Sequence, residues 1–417
     1  MSGLAAVRSR PACWVAIQLS IRRSRLGWVV PRVGRPSARA RPAARRGCLL
    51  IGVSTTRSSA QITPSLGAGH RSGGWVGSGA VPPTLAELTT LRLGGPAARI
   101  ERATESDELI ELVRTADRTD EPVLLLGGGS NLVVGDDGWP GVVVQVDTPG
   151  IRELDDRRLV VEAGVEWDQL VRHTLQRGLS GLETMSGIPG RVGATPVQNV
   201  GAYGSEVADV LRSLTIYDRD TGQVQAWSPQ RCGFGFRTSA FKHTDRYLVL
   251  DVTIELAVSQ LSSPIRYLEL ASRLGIEPGA TAPAAEVREQ VLTLRRSKGM
   301  VLDAEDHDTW SVGSFFVNPL VDVVPEAAAE CPHWAADGKT KLSAAWLIEQ
   351  SGFHRGFGLD RPNATVSVST KHTLALTNRG GARTSDLLAL AAEIRAGVQE
   401  RFGIQLAPEA HLRNCAF

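Results

Sequence analysis

The run from Gly178 to Gly204 most constrains what this chain can fold into, because it cannot become a regular element. Seven glycines and two prolines interrupt the helical and the strand period alike. Its only formal charges are Glu183 and Arg191, too few for a solvated linker or a disordered tail. A long, weakly charged segment of this kind is expected to be a buried, ordered loop, and such loops are usually functional. With few Cβ atoms in the way, backbone N–H groups can converge on an anionic or planar cofactor.

A second glycine cluster lies upstream. Pro122 to Leu126 reads as a buried strand, runs into Gly127-Gly-Gly-Ser-Asn131, and is followed by the apolar Leu132-Val-Val134, so strand, tight turn, strand is predicted. The spacing is not the dinucleotide fingerprint G-x-G-x-x-G, and no amphipathic helix opens after the glycines, which disfavours a Rossmann pyrophosphate site. A nest of backbone donors with Ser130 and Asn131 still suits a diphosphate. Alone, such a turn is more often plain; its pairing with the long loop reverses that preference.

These motifs resemble a known family. Leu125 to Leu132, Gly181-Leu-Glu183, Ile188-Pro-Gly190, Val192-Gly193 and Pro196 to Gly204 are similar to the flavin-binding half of the UDP-N-acetylenolpyruvoylglucosamine reductases, bacterial cell-wall enzymes. Phe234-Gly-Phe-Arg237, Gly313 to Pro319, Ala345 to Gln350 and Pro408-Glu409 continue the resemblance in order, from roughly Thr89 to the C-terminus.

The resemblance implies an α+β flavoenzyme. A PCMH-type FAD-binding domain would span 83–260, and an α+β substrate-binding domain 261–417, its last segment returning to the active site. Carried over by position, FAD would be held by Gly127, Gly128, Gly129, Ser130, Asn131, Gly187, Ile188, Pro189, Gly190, Gly193, Gln198, Asn199, Gly201, Ala202 and Tyr203. It would be noncovalent, because related flavin oxidases that tether the cofactor often use a histidine near this turn, which here reads Gly128-Gly-Ser-Asn131. NADPH would supply hydride for reduction of the UDP-sugar in peptidoglycan precursor synthesis.

Three catalytic candidates come from distant places: Arg237, Ser314 and Glu409. By residue type alone they are a surface cation, a turn residue and a solvated acid. No G-x-S-x-G elbow surrounds Ser314, which removes a hydrolase nucleophile. The resemblance implies that Arg237 and Glu409 engage the substrate carboxylate as charge builds there, and that Ser314 delivers the proton. Phe236 stands where the family commonly has Tyr. Lys298 matches a diphosphate-contacting lysine, Asn318 and either Glu349 or Gln350 match further substrate positions, and Tyr267 falls in a loop that closes over substrate.

Composition supports a soluble intracellular enzyme. The chain of 417 residues suffices for two or three domains, and no apolar run spans a bilayer. Five scattered cysteines and eight scattered histidines form no metal-ligand spacing, so no metal is expected and reduced thiols point to the cytoplasm. The net charge of +2 hides an asymmetry: the first 80 residues hold 13 arginines and no Asp, Glu or Lys, leaving −11 on the rest. Residues 1–82 are expected to be a disordered Arg-rich extension, although the composition also resembles a transit peptide or a polyanion-seeking arm. The acidic remainder argues against nucleic acid as a partner, and a monomer is expected.

Helices are predicted over Thr104 to Ala116, with Thr104 and Asp107 as a capping box, and from Trp167 to Gly178. A third would carry the stripe Leu387, Ala391, Ile394, Val398, Phe402, opened by Thr384 or Ser385 and closed by Gly403. Two rivals share the flavin loops: a sugar-alcohol oxidase that passes electrons to oxygen, and a noncatalytic flavin- or nucleotide-binding module.

Overall fold

The computed structural model describes residues 83–336 and 338–417; the stretch 1–82, with its expected disorder, lies outside the described residues. A parallel sheet opens the fold in the order Ala97–Ala103, Trp139–Val146, Val123–Leu126. Val142, Val143 and Val144 of its central strand are fully buried because both faces are covered. Val142 and Val144 pack with Leu109, Val113 and Ala116 of the helix Ser106–Arg118, whereas Val143 packs with Leu85, Leu124 and Leu126.

That helix begins later than its sequence pattern suggests. The cap position falls at Glu105, so the third helical residue is Glu108 rather than Asp107. Its carboxylate accepts the Thr104 N–H at 2.8 Å and the Thr104 hydroxyl at 3.3 Å.

An antiparallel sheet follows, ordered Gln223–Trp227, Leu211–Asp218, Tyr247–Glu255, Arg158–Glu162, Ile151–Glu153. Trp167, Leu170 and Val171 of the helix Trp167–Gln176 join its core, and the chain leaves that helix through Gly178 at φ +70°. Between Gly178 and Gly204 no regular piece exceeds three residues, the longest being the 3-10 turns Glu183–Met185 and Val192–Ala194. Thr184, Met185, Ser186 and Asn199 are buried, so the loop is interior.

Past residue 260, the helices Leu268–Leu274 and Ala284–Ser297 build a small core around Leu270, Val287 and Val291. The remainder gathers on the helix Thr384–Phe402, whose apolar stripe is as predicted and which stops at Gly403, φ +68°. Its cap is not Ser385 or Thr384. Asp136, about 250 residues earlier, accepts the N–H groups of both, at 2.6 Å from Thr384 and 3.0 Å from Ser385, while the Thr384 hydroxyl donates to the Val134 carbonyl. Leu91, Leu93 and Val133 join the same core.

The final strand, His411–Arg413, pairs in parallel with Leu132–Val134. The Gly127–Asn131 turn is therefore no hairpin. The strand entering it belongs to the parallel sheet, and the strand leaving it pairs with the end of the chain. This connection brings Glu409 beside the glycine turn.

Candidate active site

The two glycine loops touch backbone to backbone. A Cβ on Gly128 would stand 2.8 Å from the Gly190 Cα, and one on Gly129, at φ +61°, would stand 2.1 Å from the Leu88 carbonyl oxygen. The Ser130 hydroxyl donates to the Pro189 carbonyl at 3.0 Å, and the Asn131 amide to Gln198 Oε1 at 3.0 Å. The N–H groups of Gly128, Gly129, Ser130 and Asn131 find no acceptor among the described residues. Four consecutive free donors on a compact turn form a nest suited to a diphosphate.

A cavity of about 520 Å³ runs along both loops. Gly127, Gly128, Gly129, Ser130, Asn131, Ile188, Pro189, Gly190, Gln198, Gly201, Ala202 and Tyr203 line it. Gly187, Gly193 and Asn199 do not, because each is committed to holding the loop. The Gly187 N–H donates to Asp168 Oδ1 at 2.7 Å, and the Gly193 N–H to the Ala163 carbonyl at 2.8 Å. Asn199 is fully buried, and its Oδ1 accepts the Ala208 N–H at 3.0 Å. The free donor nest and the cavity lined by both loops fit FAD. No His, Cys, Asp or Glu cluster suited to a metal occurs among the described residues.

Arg237, Ser314 and Glu409 all line this cavity. Arg237, at φ +53°, is held by the carbonyls of Gly201 at 2.7 Å and Asn199 at 3.3 Å, and its Nε lies 3.3 Å from Glu409 Oε1. The Glu409 N–H donates to the Phe315 carbonyl at 2.8 Å, which sets Glu409 beside the Ser314 segment. Phe315 and Phe316, both buried, anchor that segment from below. Burial pushes the Glu409 carboxyl above the ordinary carboxylate range, against the opposing pull of Arg237 and Lys242. Phe236 stacks under the Lys341 ammonium, 4.4 Å from the ring centroid.

Lys298 and Tyr267 also line the cavity. The Lys298 ammonium donates to Glu269 at 2.9 Å; burial acts to lower its pKa, but this bond together with Tyr267 and Glu269 raises it. Tyr267 meets Tyr203 edge to face, with centroids 5.2 Å apart. Asn318 and Gln350 are not in the cavity wall. Asn318 Oδ1 accepts the Ala344 N–H at 2.9 Å at the start of the helix Ala344–Gln350, and Gln350 is exposed at its end. Of the pair left open by the sequence, Glu349 is the residue tied to the wall, accepting from the hydroxyl of Thr373 next to His372.

Among the cavity residues that sequence reasoning missed are His372, His411 and Arg295. His411 follows Glu409 by two positions on an extended segment, a spacing that puts both side chains on one face. That was a usable signal, whereas His372 and Arg295 offered none. Burial first, then nearby cations, pushes both imidazoles down to about 4, so both are neutral near pH 7.

Residues 97–228 match the FAD binding domain family, and residues 305–412 match the C-terminal domain of UDP-N-acetylenolpyruvoylglucosamine reductase. The chain is 52% identical over 347 residues to the UDP-N-acetylenolpyruvoylglucosamine reductase of Thermobifida fusca, covering 78% of this chain and 95% of that one. It is 47% identical over 350 residues to the protein of that name from Mycolicibacterium smegmatis, covering 81% and 95%. The crystal structure of the reductase from Thermus caldophilus superposes with a TM-score of 0.55 at 26% identity, over 79% of this chain and 97% of that one. Similarity of this extent across both halves shows that the chain belongs to the UDP-N-acetylenolpyruvoylglucosamine reductase family, whose members are FAD-dependent oxidoreductases.

Proposed function

We propose that this cavity reduces UDP-N-acetylenolpyruvoylglucosamine to UDP-N-acetylmuramate with NADPH, in the cytoplasm, as a step of peptidoglycan precursor synthesis. The observation that carries the reading is the meeting of Arg237, Glu409 and Ser314 in the wall of one cavity that also holds the free donor nest. FAD, held noncovalently along the two loops, supplies the hydride chemistry between NADPH and the terminal enolpyruvyl carbon. The named groups all lie within one chain, so a single copy is sufficient to build the site.

Negative charge arising on the substrate spreads into its carboxylate. Arg237, already fixed by two carbonyls, meets that charge without reorganising. Glu409, holding its proton, donates a hydrogen bond to the same group. Ser314 gives its hydroxyl proton to the adjacent carbon, and water restores it. A weak acid suffices because the receiving carbon is strongly basic and the hydroxyl is close at hand.

The raised Glu409 pKa sets a pH dependence. As pH rises through that value the proton and the donated hydrogen bond are lost, so kcat/KM is expected to fall on the alkaline side. Glu409→Gln cannot ionise and should flatten that limb while lowering the plateau. An unchanged alkaline limb in the Gln variant would assign the ionisation to another group.

Lys298 is expected to act on binding, because the diphosphate is remote from the reacting carbon. Lys298→Ala should raise the Michaelis constant for the nucleotide sugar more than it slows flavin reduction by NADPH, with some loss of turnover from poorer orientation. An unaltered Michaelis constant places this lysine outside the site. The function itself is tested by NADPH consumption that depends on the enolpyruvyl sugar and yields the muramate product in equal amount. Peroxide from sugar alcohols would point to an oxidase, and FAD binding without turnover to a noncatalytic module.

A further inference from the structure

Arg295 is a poorly compensated charge in the cavity wall. The residue is 8% exposed, its Nε has no hydrogen-bond partner, and its one bond runs from Nη2 to the Met300 carbonyl at 2.9 Å. The other cations of the wall each lie against an acidic side chain, Arg191 against Asp147, Arg237 against Glu409, Lys298 against Glu269 and Arg413 against Asp245. Asp168, the carboxylate that acts on Arg295 through space, is already engaged. It takes Arg288 in a two-pronged bond of 2.7 Å per arm and the Gly187 N–H at 2.7 Å.

The placement follows from the helix Ala284–Ser297. Arg288 and Arg295 lie seven residues apart and so share a helix face. The clamp from Arg288 to Asp168 presses this face against the flavin loop. A Cβ on Gly187 would stand 3.6 Å from Arg295 Nε, and Gly187 leads directly into Ile188-Pro-Gly190 of the cavity wall. An arginine stays charged even when buried, and a buried charge without a partner is costly. A wall that keeps one has an electronegative group to set against it.

We propose that Arg295 is the cation facing the N1–C2=O edge of bound FAD, where it stabilises the negative charge left by reduction. Two electrons and one proton at N5 leave N1 anionic, and a nearby cation tunes that state. The substrate diphosphate is the other anion within the cavity's reach, but a ligand entering from solvent meets Lys298, whose side chain is 28% exposed, before the more deeply buried Arg295. The inference rests on FAD occupying this cavity, which the absorbance of the purified holoenzyme reads independently; a colourless wild-type protein that takes up no FAD would overturn that reading and this one with it.

The test is anaerobic potentiometry of the holoenzyme against reference dyes, with the Michaelis constant for the nucleotide sugar measured on the same preparations. Arg295→Met keeps bulk and removes charge; Arg295→Lys returns a charge without the planar fork. The Met variant is expected to lose at least tenfold in preference for reduced over oxidised FAD, a fall of about 30 mV for a two-electron couple. The Lys variant should recover part of it, and the Michaelis constant should stay near wild type. An unchanged potential overturns the proposal, and a raised Michaelis constant beside it would assign the cation to the diphosphate. Should the Met variant fail to fold, the wild-type holoenzyme decides. At slightly acid pH, where free reduced FAD is protonated at N1, its potential should follow pH with the slope of one proton per two electrons. A two-proton slope contradicts the proposal.

Discussion

Ser314→Ala is expected to slow the oxidative half-reaction by roughly 10²–10⁴-fold, the range of a lost general acid, while flavin reduction by NADPH stays near wild type. The split follows from the chemistry, since hydride arrival at N5 takes no proton from this hydroxyl. The geometry supports it as well. Ser314 lines the cavity, is half-buried, and spends its hydroxyl on no hydrogen bond among the described residues. Gly313, at φ +73°, turns the chain there, and the buried Phe315 and Phe316 hold it. Ser314→Cys, with a more acidic donor at nearly the same reach, should recover part of the loss. Rapid-mixing absorbance of the flavin reads both steps in one protein. Equal slowing of both would make Ser314 a residue that shapes the pocket.

Gly128→Val should abolish useful FAD binding without unfolding the protein. Any Cβ at this position meets the Gly190 backbone at 2.8 Å, and both glycines belong to loops that face the cavity, so neither can yield without moving the donor nest. Strain of about 1–3 kcal/mol in the bound geometry corresponds to roughly 10–100-fold in affinity, before the misplaced N–H groups are counted. The check is titration of apoprotein with FAD by fluorescence quenching, beside a circular-dichroism melt. Near wild-type affinity in the Val variant would move the diphosphate away from this turn.

The glycine loops were legible because their close backbone packing is written in residue type. No other residue tolerates contacts such as Gly128 against Gly190, so the sequence must show glycine there. The C-terminal helix was equally legible from its stripe and from Gly403, since both are local signals. Long-range partners were not. The cap supplied by Asp136 to Thr384 and Ser385 and the clamp between Asp168 and Arg288 join residues more than a hundred positions apart, and no local pattern announces them. The same limit explains Asn318. Motif position suggested substrate, whereas its oxygen caps the helix Ala344–Gln350. Arg295 sat unremarked beside Lys298 because burial, which sets it apart from the exposed Arg296, is a tertiary property.

One cavity is expected to carry electrons from NADPH through FAD to an enolpyruvyl nucleotide sugar. Anaerobic mixing of the holoenzyme with one equivalent of NADPH, followed by the substrate, tests it most directly. The flavin absorbance is expected to bleach on the first addition and return in full on the second, with one UDP-N-acetylmuramate formed per flavin reoxidised. Flavin that bleaches and stays bleached until oxygen is admitted would contradict the claim.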